Sequence, residues 1–368
     1  MLLKLLTLAD FRNWGKLEWQ PAPGLNVITG ANAEGKTNLL EAIFFLASGK
    51  SFRTHRDADL ARFGSTSFAV GARIERATGE LSLVLRWDRS RGKTLTLDRT
   101  EHPRLADLFG QVTAVCFSPE DLSLIKGPPE VRRHALNLLL LQISRPYYYH
   151  LREYNRILAQ RNAHLKKLPP TASSELALSV WDEELARHGA ELTIRRRAAV
   201  AELARWADER HRELSGGYEL GISYNPSIPL TDPPTLEGAQ TAFLQKLDRN
   251  RREELRRGIT LSGPQRDEIN FTIGGRDLRS YGSQGEQRTA ALAWKLAELE
   301  FIRSHTGEMP LLLLDDVFSE LDPRRQACLM REARRGSQTF LTSAEEIKLT
   351  IFPAAASWHV AQGELKPL

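Results

Sequence analysis

The octapeptide Gly30-Ala31-Asn32-Ala33-Glu34-Gly35-Lys36-Thr37 fits G-x-x-x-x-G-K-[ST], and its residue types are those that phosphate binding asks for. Glycines let the backbone fold around an anion with several N–H groups pointing inward, and a helix starting near Lys36 adds its positive N-terminal end. Lys36 would reach β and γ phosphates, and the Thr37 hydroxyl would ligate magnesium. The apolar run from Leu25 to Thr29 and the helix-patterned run from Thr37 to Ala47 predict the strand, loop and helix that such a motif needs. A glycine-rich turn that binds nothing is the bland alternative, but a chance match of this length rarely falls in that setting.

A second set of acids lies far downstream. Leu311 to Leu314 are four apolar residues ending in Asp315 and Asp316, the pattern of a buried parallel strand delivering carboxylates to a sheet's C-terminal edge. There Asp315 would hold magnesium, directly or through water, and Asp316 could orient or deprotonate an attacking water. Ser283-Gln284-Gly285-Glu286 precedes a helix-patterned stretch and fits S-x-x-E, so it reads as a capping box. It reads equally as a loop offering Ser283, the Gly285 backbone and a helix N-terminus to a γ-phosphate, and both readings can hold at once. Asp322-Pro323 predicts one more capped helix start.

For the chain as a whole, 368 residues suffice for two domains or lobes, and 41% hydrophobic with 26% charged residues describes a globular protein. No apolar run approaches the length of a membrane span, and Met1-Leu2-Leu3-Lys4 does not have a signal-peptide layout, so a cytoplasmic protein is expected. Cys116 and Cys328 sit in apolar surroundings far apart, which predicts core thiols and gives no indication of zinc. The net charge of +5 is weak evidence for nucleic acid, but its distribution says more. From Lys126 to Lys167 nine basic residues face only Glu130 and Glu153. Such a stretch is ordinarily a solvated helical face, and Arg132, Arg133, Arg152, Arg156, Arg161, Lys166 and Lys167 become the predicted DNA-contacting residues by the resemblance described below, in which paired helical arms flank a groove.

The elements that must position these groups follow from periodicity. Residues 2–8 predict a strand, and 68–97 an antiparallel meander broken at Thr78-Gly79 and Ser90-Arg91-Gly92. A further strand over 112–117 runs into Ser118-Pro119-Glu120-Asp121, a capped helix start. Helices are predicted over 129–143, 147–167, 174–214 and 236–257, with a break at Leu168-Pro169-Pro170-Thr171. The third would be about 60 Å long at 1.5 Å per residue and is expected to project as a helical arm. β structure is expected to return over 259–273. The expected architecture is α/β, a mixed-sheet nucleotide-binding head with an antiparallel β lobe and a helical arm. Its divisions are 1–120, 121–257 and 258–368.

The phosphate loop, the serine loop at 283 and Asp315-Asp316-Val317-Phe318-Ser319-Glu320-Leu321-Asp322 together resemble an ABC-type ATPase head of the SMC and DNA-repair branch. Within that branch the likeness is to bacterial recombination mediators. It extends through Phe11-Arg12-Asn13-Trp14, Gly49 to Thr54, Gly127 to Arg133, Gly263 to Asp267 and Tyr281 to Arg288. By this resemblance Gly30 to Thr37 form Walker A, Ser283 and Gly285 belong to the signature, Asp315 is the Walker B metal acid, and Asp316 is the catalytic carboxylate with Lys36. Ser319 to Asp322 match the D-loop, and Arg12 and Asn13 lie where relatives approach the nucleotide.

The resemblance also implies ATP and Mg2+ as cofactors and a weak, slow ATPase that dimerises on ATP. It further implies binding to DNA, at gaps with duplex beside single strand, and RecR and RecO as partners in loading RecA, in the cytoplasm at the nucleoid. Asp316 stands where many ABC proteins have a longer Glu. No switch histidine is evident in Phe340 to Ala344, where Thr342 or Ser343 could substitute, and Gln111 matches the Q-loop glutamine poorly. The ATPase subunit of a membrane transporter is a weaker reading, because the helical arm and basic stretch do not suit it. A small-molecule kinase would not need the signature loop, and the arm is too short for a structural SMC protein.

Overall fold

The computed structural model describes residues 1–167, 178–336, 338–344 and 356–368, with the side chains of Ser319 and Glu320 left aside. The predicted break at Leu168 to Thr171 and the side-chain half of the D-loop expectation therefore lie outside the described residues.

Two six-stranded sheets form the head. The first is antiparallel and contains β1 (Leu2–Phe11), β2 (Trp14–Trp19), β4 (Ser67–Arg76), β5 (Gly79–Asp88), β6 (Gly92–Leu97) and β7 (Thr100–His102), in the order β2-β1-β4-β5-β6-β7. The second is built from β3 (Leu25–Thr29), β8 (Ala114–Phe117), β12 (Leu311–Asp315), β13 (Thr339–Ser343), β14 (Ala356–Ala361) and β15 (Glu364–Pro367). Its order is β15-β14-β3-β13-β12-β8, and its strands pair parallel except at the β14–β15 hairpin. Leu311 to Leu314 are each 0% exposed, as a central parallel strand covered on both faces must be.

The two sheets are tied by chemistry as well as packing. Gln338 accepts from Leu3 N–H at 2.6 Å and donates to Ala22 O at 2.9 Å, while Trp19 meets Phe340 and Trp358 edge-on with centroids 5.5 Å apart. Between the sheets runs the helix Lys36–Ser48, whose apolar residues are nearly all buried.

The helical part holds Pro129–Ile143, Arg145–Leu165, Ser179–Ser215 and Leu236–Arg257. Local sequence explains their ends. Ser144 Oγ accepts from Tyr147 N–H at 3.2 Å, Thr235 Oγ1 accepts from Gly238 N–H at 3.1 Å, and Gly216 and Gly258 close their helices in the left-handed conformation. A small sheet of β9 (Leu220–Asn225), β10 (Glu268–Ile273) and β11 (Arg276–Asp277) returns the chain to the signature helix, Gln284–Thr306. Residues 259–267, expected as strand, form an irregular segment containing a short turn at Pro264–Arg266. Its backbone is held by side chains from the helices instead of by a ladder.

The 37-residue helix is not the free arm that its length predicts. Its C-terminal half is embedded in the head: Val200, Leu203, Ala207 and Leu214 are buried in the same core cluster as residues of the signature helix, and Arg210 pairs with Glu300 at 3.2 Å. An apolar stripe continued over ten turns gives length, but which neighbour covers it is a tertiary matter.

Two of the predicted DNA-contacting residues are corrected by burial. Arg161 is 0% exposed, with Nε 2.8 Å from Asp182, Nη2 2.7 Å from Glu254 and Nη1 donating to Thr260 at 2.8 Å. Arg132 is buried and forks onto Glu268 at 2.8 and 3.0 Å. Arg161 cannot meet a phosphate without unpairing two buried acids, which is strongly unfavourable, and the buried Arg132 is held by the half-buried Glu268. Arg161 instead staples three helices, because Asp182 also receives Arg251 at 3.0 Å. Tyr147 is likewise a core residue, whereas Tyr149 is exposed.

Candidate nucleotide site

Register brings the site together. In the second sheet Asp315 lies opposite Thr342, Leu314 opposite Phe117, and Ser343 opposite Thr29. The residues after β3, β8, β12 and β13 therefore emerge at one edge, where parallel sheets bind ligands.

The phosphate loop is held from three sides. Gly30 has φ 153°, and a Cβ there would lie 2.4 Å from Val360 O, so only glycine lets β14 pass so close. At Gly35, φ 114°, a Cβ would strike the Asn13 amide at 2.4 Å. Asn13 donates to Glu34 O at 2.7 Å and accepts from Asn38 at 2.8 Å, while Trp14 Nε1 donates to Gly35 O at 3.3 Å. At the tip, Gln362 N–H donates to Glu34 at 2.6 Å, which makes the C-terminal hairpin part of the loop's support. Ala31, Asn32 and Ala33 remain exposed. Lys36 is buried, and its ammonium donates to Gly30 O at 2.8 Å and Ala31 O at 3.0 Å, so the charge is stored under the loop it serves.

Arg12 is engaged through every side-chain nitrogen. It forks onto Glu41 at 2.8 and 2.7 Å and donates to Asp59 O at 2.8 Å. Glu41, which is 0% exposed, also accepts from Ser51 Oγ, and Arg53 approaches it at 3.7 Å. A lone acid in an apolar helix carries no spacing signal, so Glu41 is silent in the sequence. Its burial among cations is what identifies it.

The two acids differ as their neighbours dictate. Asp315 Oδ1 accepts from Thr37 Oγ1 at 2.9 Å and from Thr342 Oγ1 at 2.8 Å. Burial pushes its carboxyl up from the usual range, the Thr342 and Thr37 hydroxyls oppose that, and the nearby charges of Asp316 and Glu120 add to it. Asp316 leaves the strand in the left-handed conformation at φ 49°, its N–H donating to Thr342 Oγ1 at 3.0 Å. Thr342 thus touches both acids, from the strand end at which the resemblance leads one to expect a switch histidine. Gln111 accepts from Arg76 at 2.6 Å before β8 begins, at the opposite end of that strand. The exposed Glu120 stands at the edge that bears Asp315 instead.

A magnesium ion fits this donor set. A hydroxyl and a carboxylate 2.9 Å apart are hard oxygen ligands, and a desolvated carboxylate gains from a divalent neighbour. Such an ion would be held by Thr37 and Asp315 and would neutralise charge on phosphate oxygens.

The signature loop is built as a cap. Ser283 N–H donates to Glu286 at 2.7 Å and Glu286 N–H to Ser283 Oγ at 3.3 Å. Ser283 and Gly285 are exposed, and nothing lies within 4 Å of a Cβ added at Gly285. Asp322 caps the helix Pro323–Ala333 and pairs with Arg325, which also donates to Gly285 O at 3.2 Å. One side chain therefore joins the D-loop segment to the signature.

A Walker A loop, two acids at the end of a parallel strand and an exposed serine cap, set on one mixed sheet beside an antiparallel lobe, define an ABC-type ATPase head. The family model of the RecF/RecN/SMC N terminal domain matches residues 2–356. A relative from Symbiobacterium thermophilum named DNA replication and repair protein RecF is 45% identical over 96% of this chain and 95% of its own. Another of that name from Halalkalibacterium halodurans is 40% identical over 100% and 99%. The chain belongs to the RecF family.

Among solved structures, one described as the recombination mediator protein RecF-ATPrS in the RecFOR pathway aligns at TM-score 0.92 with 32% identity, covering 100% of this chain and 98% of that one. An SMC head bound to a ScpA domain aligns at 0.54 with 17% identity over 100% and 97%, a likeness of fold. Among the described residues, no helix is long and apolar enough to cross a membrane.

Proposed function

We propose that this chain is an ATP- and Mg2+-dependent DNA-binding protein of recombinational repair, a slow ATPase that closes into a homodimer on ATP. The observation that carries the reading is the division of phosphate-binding groups. Lys36, Thr37, Asp315 and Thr342 converge at one edge, while Ser283 and Gly285 face outward as an exposed, finished cap. A two-fold dimer would set each Walker A loop against the other subunit's signature, with ATP between. The Ser283→Arg substitution puts bulk and charge into that interface while leaving Walker A intact. In gel filtration with ATP, wild type should elute as a dimer and Ser283→Arg as a monomer with nucleotide affinity unchanged. A variant that still dimerises refutes the bridging role.

For DNA, burial of Arg132 and Arg161 leaves exposed Arg152, Arg156, Lys166 and Lys167, with Arg133 half-buried. Arg152 and Arg156 share Glu153 at 3.1 and 2.9 Å, so that trio keeps a net charge of +1. Lys166 packs against Gly258, where an added Cβ would lie 3.2 Å from Lys166 Cγ, which puts Lys166 and Lys167 beside Arg256 and Arg257 at one end of the helices. Glu253 is the acid paired with those two arginines. This tip is the favoured phosphate-contacting surface. Replacing Lys166, Lys167, Arg256 and Arg257 with Ala should reduce the log–log salt slope by about 0.9 for each duplex phosphate no longer neutralised. ATP binding should be unaffected, and an unchanged slope would move the DNA surface elsewhere. Action with RecR and RecO is supported by the RecFOR pathway named for the similar structure, and gapped DNA in the cytoplasm is where we place that action.

A further inference from the structure

At the root of the helical part is a cavity of about 400 Å³ that none of the nucleotide groups line. One wall is a single face of the helix Pro129–Ile143, presenting Glu130, Arg133, His134 and Asn137 at spacings of three and four. Asn155 and His55 stand exposed at the rim, and the buried Arg196 reaches in from the long helix.

Its basic groups are fixed in place. Arg196 donates from Nε to Tyr147 Oη at 3.0 Å, from Nη1 to Pro264 O at 2.7 Å and from Nη2 to Asn137 Oδ1 at 2.9 Å. A guanidinium has five N–H donors, so this set leaves some for a guest. Arg133 is anchored through Asp267 O at 2.7 Å. Asn137 Oδ1 also accepts from Tyr147 at 2.5 Å, which leaves its NH2 as the group to offer. Asp267 lies behind the wall, 3.6 Å from Arg196 Nη1, with its carboxylate taken by Tyr224 and by Ser227 N–H at 2.8 Å. Among the described residues, Glu130 is the one acid in the lining.

We infer that this cavity is a phosphate-binding pocket, in which Arg133, Arg196, Asn137 and His134 would take the oxygens of a phosphate group. Two arginines and two histidines gathered around an open space are the arrangement that recognises a phosphate oxyanion. The histidines support this. The His134 ring, against His55 at 4.5 Å between centroids, is pushed down to about 4 by burial first, then by His55 and Lys50. Burial and neighbouring Arg196 also lower the Arg133 guanidinium. An anion would relieve all of these at once.

The pocket also adjoins the nucleotide support. His55 follows Arg53 and Thr54, and Arg53 donates to Asn38 at 2.9 Å, which in turn holds Asn13 over Gly35. The phosphate could belong to a nucleic acid strand or to a free nucleotide or inorganic phosphate. In its nucleic-acid form the inference rests on the DNA reading above.

The test uses the full chain with 13C-labelled histidine rings, titrated with inorganic phosphate against chloride at equal ionic strength. Phosphate should raise the His134 midpoint by at least about one pH unit, the effect of an anion within about 4–6 Å. The shift should vanish in Arg133→Gln and in the rim variant Asn155→Asp, which adds a repelling charge without disturbing the core. A duplex with a single-stranded extension, added to protein already saturated with ATP, should move the same resonance beyond its ATP-bound position if the phosphate is a strand's; movement by ATP or phosphate without any further effect of the duplex assigns a free one. If neither moves His134, the pocket is refuted. Fluorescence anisotropy of the same DNA decides separately whether the DNA reading holds.

Discussion

Replacing Lys36 with Met is expected to lower ATP affinity by about two orders of magnitude or more and to abolish ATP-dependent dimerisation. The ammonium is buried and already oriented by the carbonyls of Gly30 and Ala31 at 2.8 and 3.0 Å, so it needs little reorganisation to reach phosphate oxygens. Charge-assisted hydrogen bonds contribute roughly 1.5–3 kcal/mol each, and β and γ oxygens supply two. Methionine keeps most of the length and the apolar stem and removes the charge. The loop should survive, because Asn13, Trp14 and Gln362 hold Glu34 and Gly35 independently of Lys36. Isothermal titration with ATP, alongside a thermal melt showing an intact fold, gives the answer. Binding within threefold of wild type would show that this lysine does not carry the phosphate contact.

Asp316→Asn is expected to separate binding from turnover, with hydrolysis reduced by about 10² or more while ATP binding stays within a few-fold and the dimer persists. Asparagine preserves shape but cannot take a proton. The backbone N–H that anchors the residue to Thr342 at 3.0 Å is untouched, so the side chain should keep its place beyond β12. Asp315 should keep its two threonine hydroxyls in the variant, which is why the metal-binding half of the site should remain. Single-turnover hydrolysis and gel filtration on the same sample measure both halves. Equal rates for wild type and variant would place the base on another group at that edge, and the exposed Glu120, whose charge acts on Asp315, is the alternative.

Both expectations rest on residues legible in the sequence, because the chemistry there is local. A phosphate loop needs glycines, a lysine and a hydroxyl within eight positions, and a central parallel strand needs an unbroken apolar run before its acids. Leu311 to Asp316 announces such a strand, and 0% exposure of its four leucines agrees. The cap at Ser283 is legible for the same reason, since Ser and Glu three residues apart satisfy each other within one turn. The helices 129–143 and 236–257 have the bounds that periodicity predicts.

What the sequence could not rank was which charges face outward. Arg152 and Arg161 look alike in a basic stretch, yet one is exposed and the other is 0% exposed between Asp182 and Glu254, acids 21 and 93 positions away by their numbers. Helix geometry sets the face a residue occupies, but the partner across that face comes from distant chain, and a buried ion pair forms only where both are brought in together. The same holds for Glu41 beneath Arg12, for Thr342 between the two acids, and for Gln362 on the loop tip. The sequence by itself determined the nucleotide-binding segments and most of the helices, because each depends on neighbours a few residues apart. Tertiary structure alone decided the arrangement of charge, because desolvation and pairing are properties of the assembled interior.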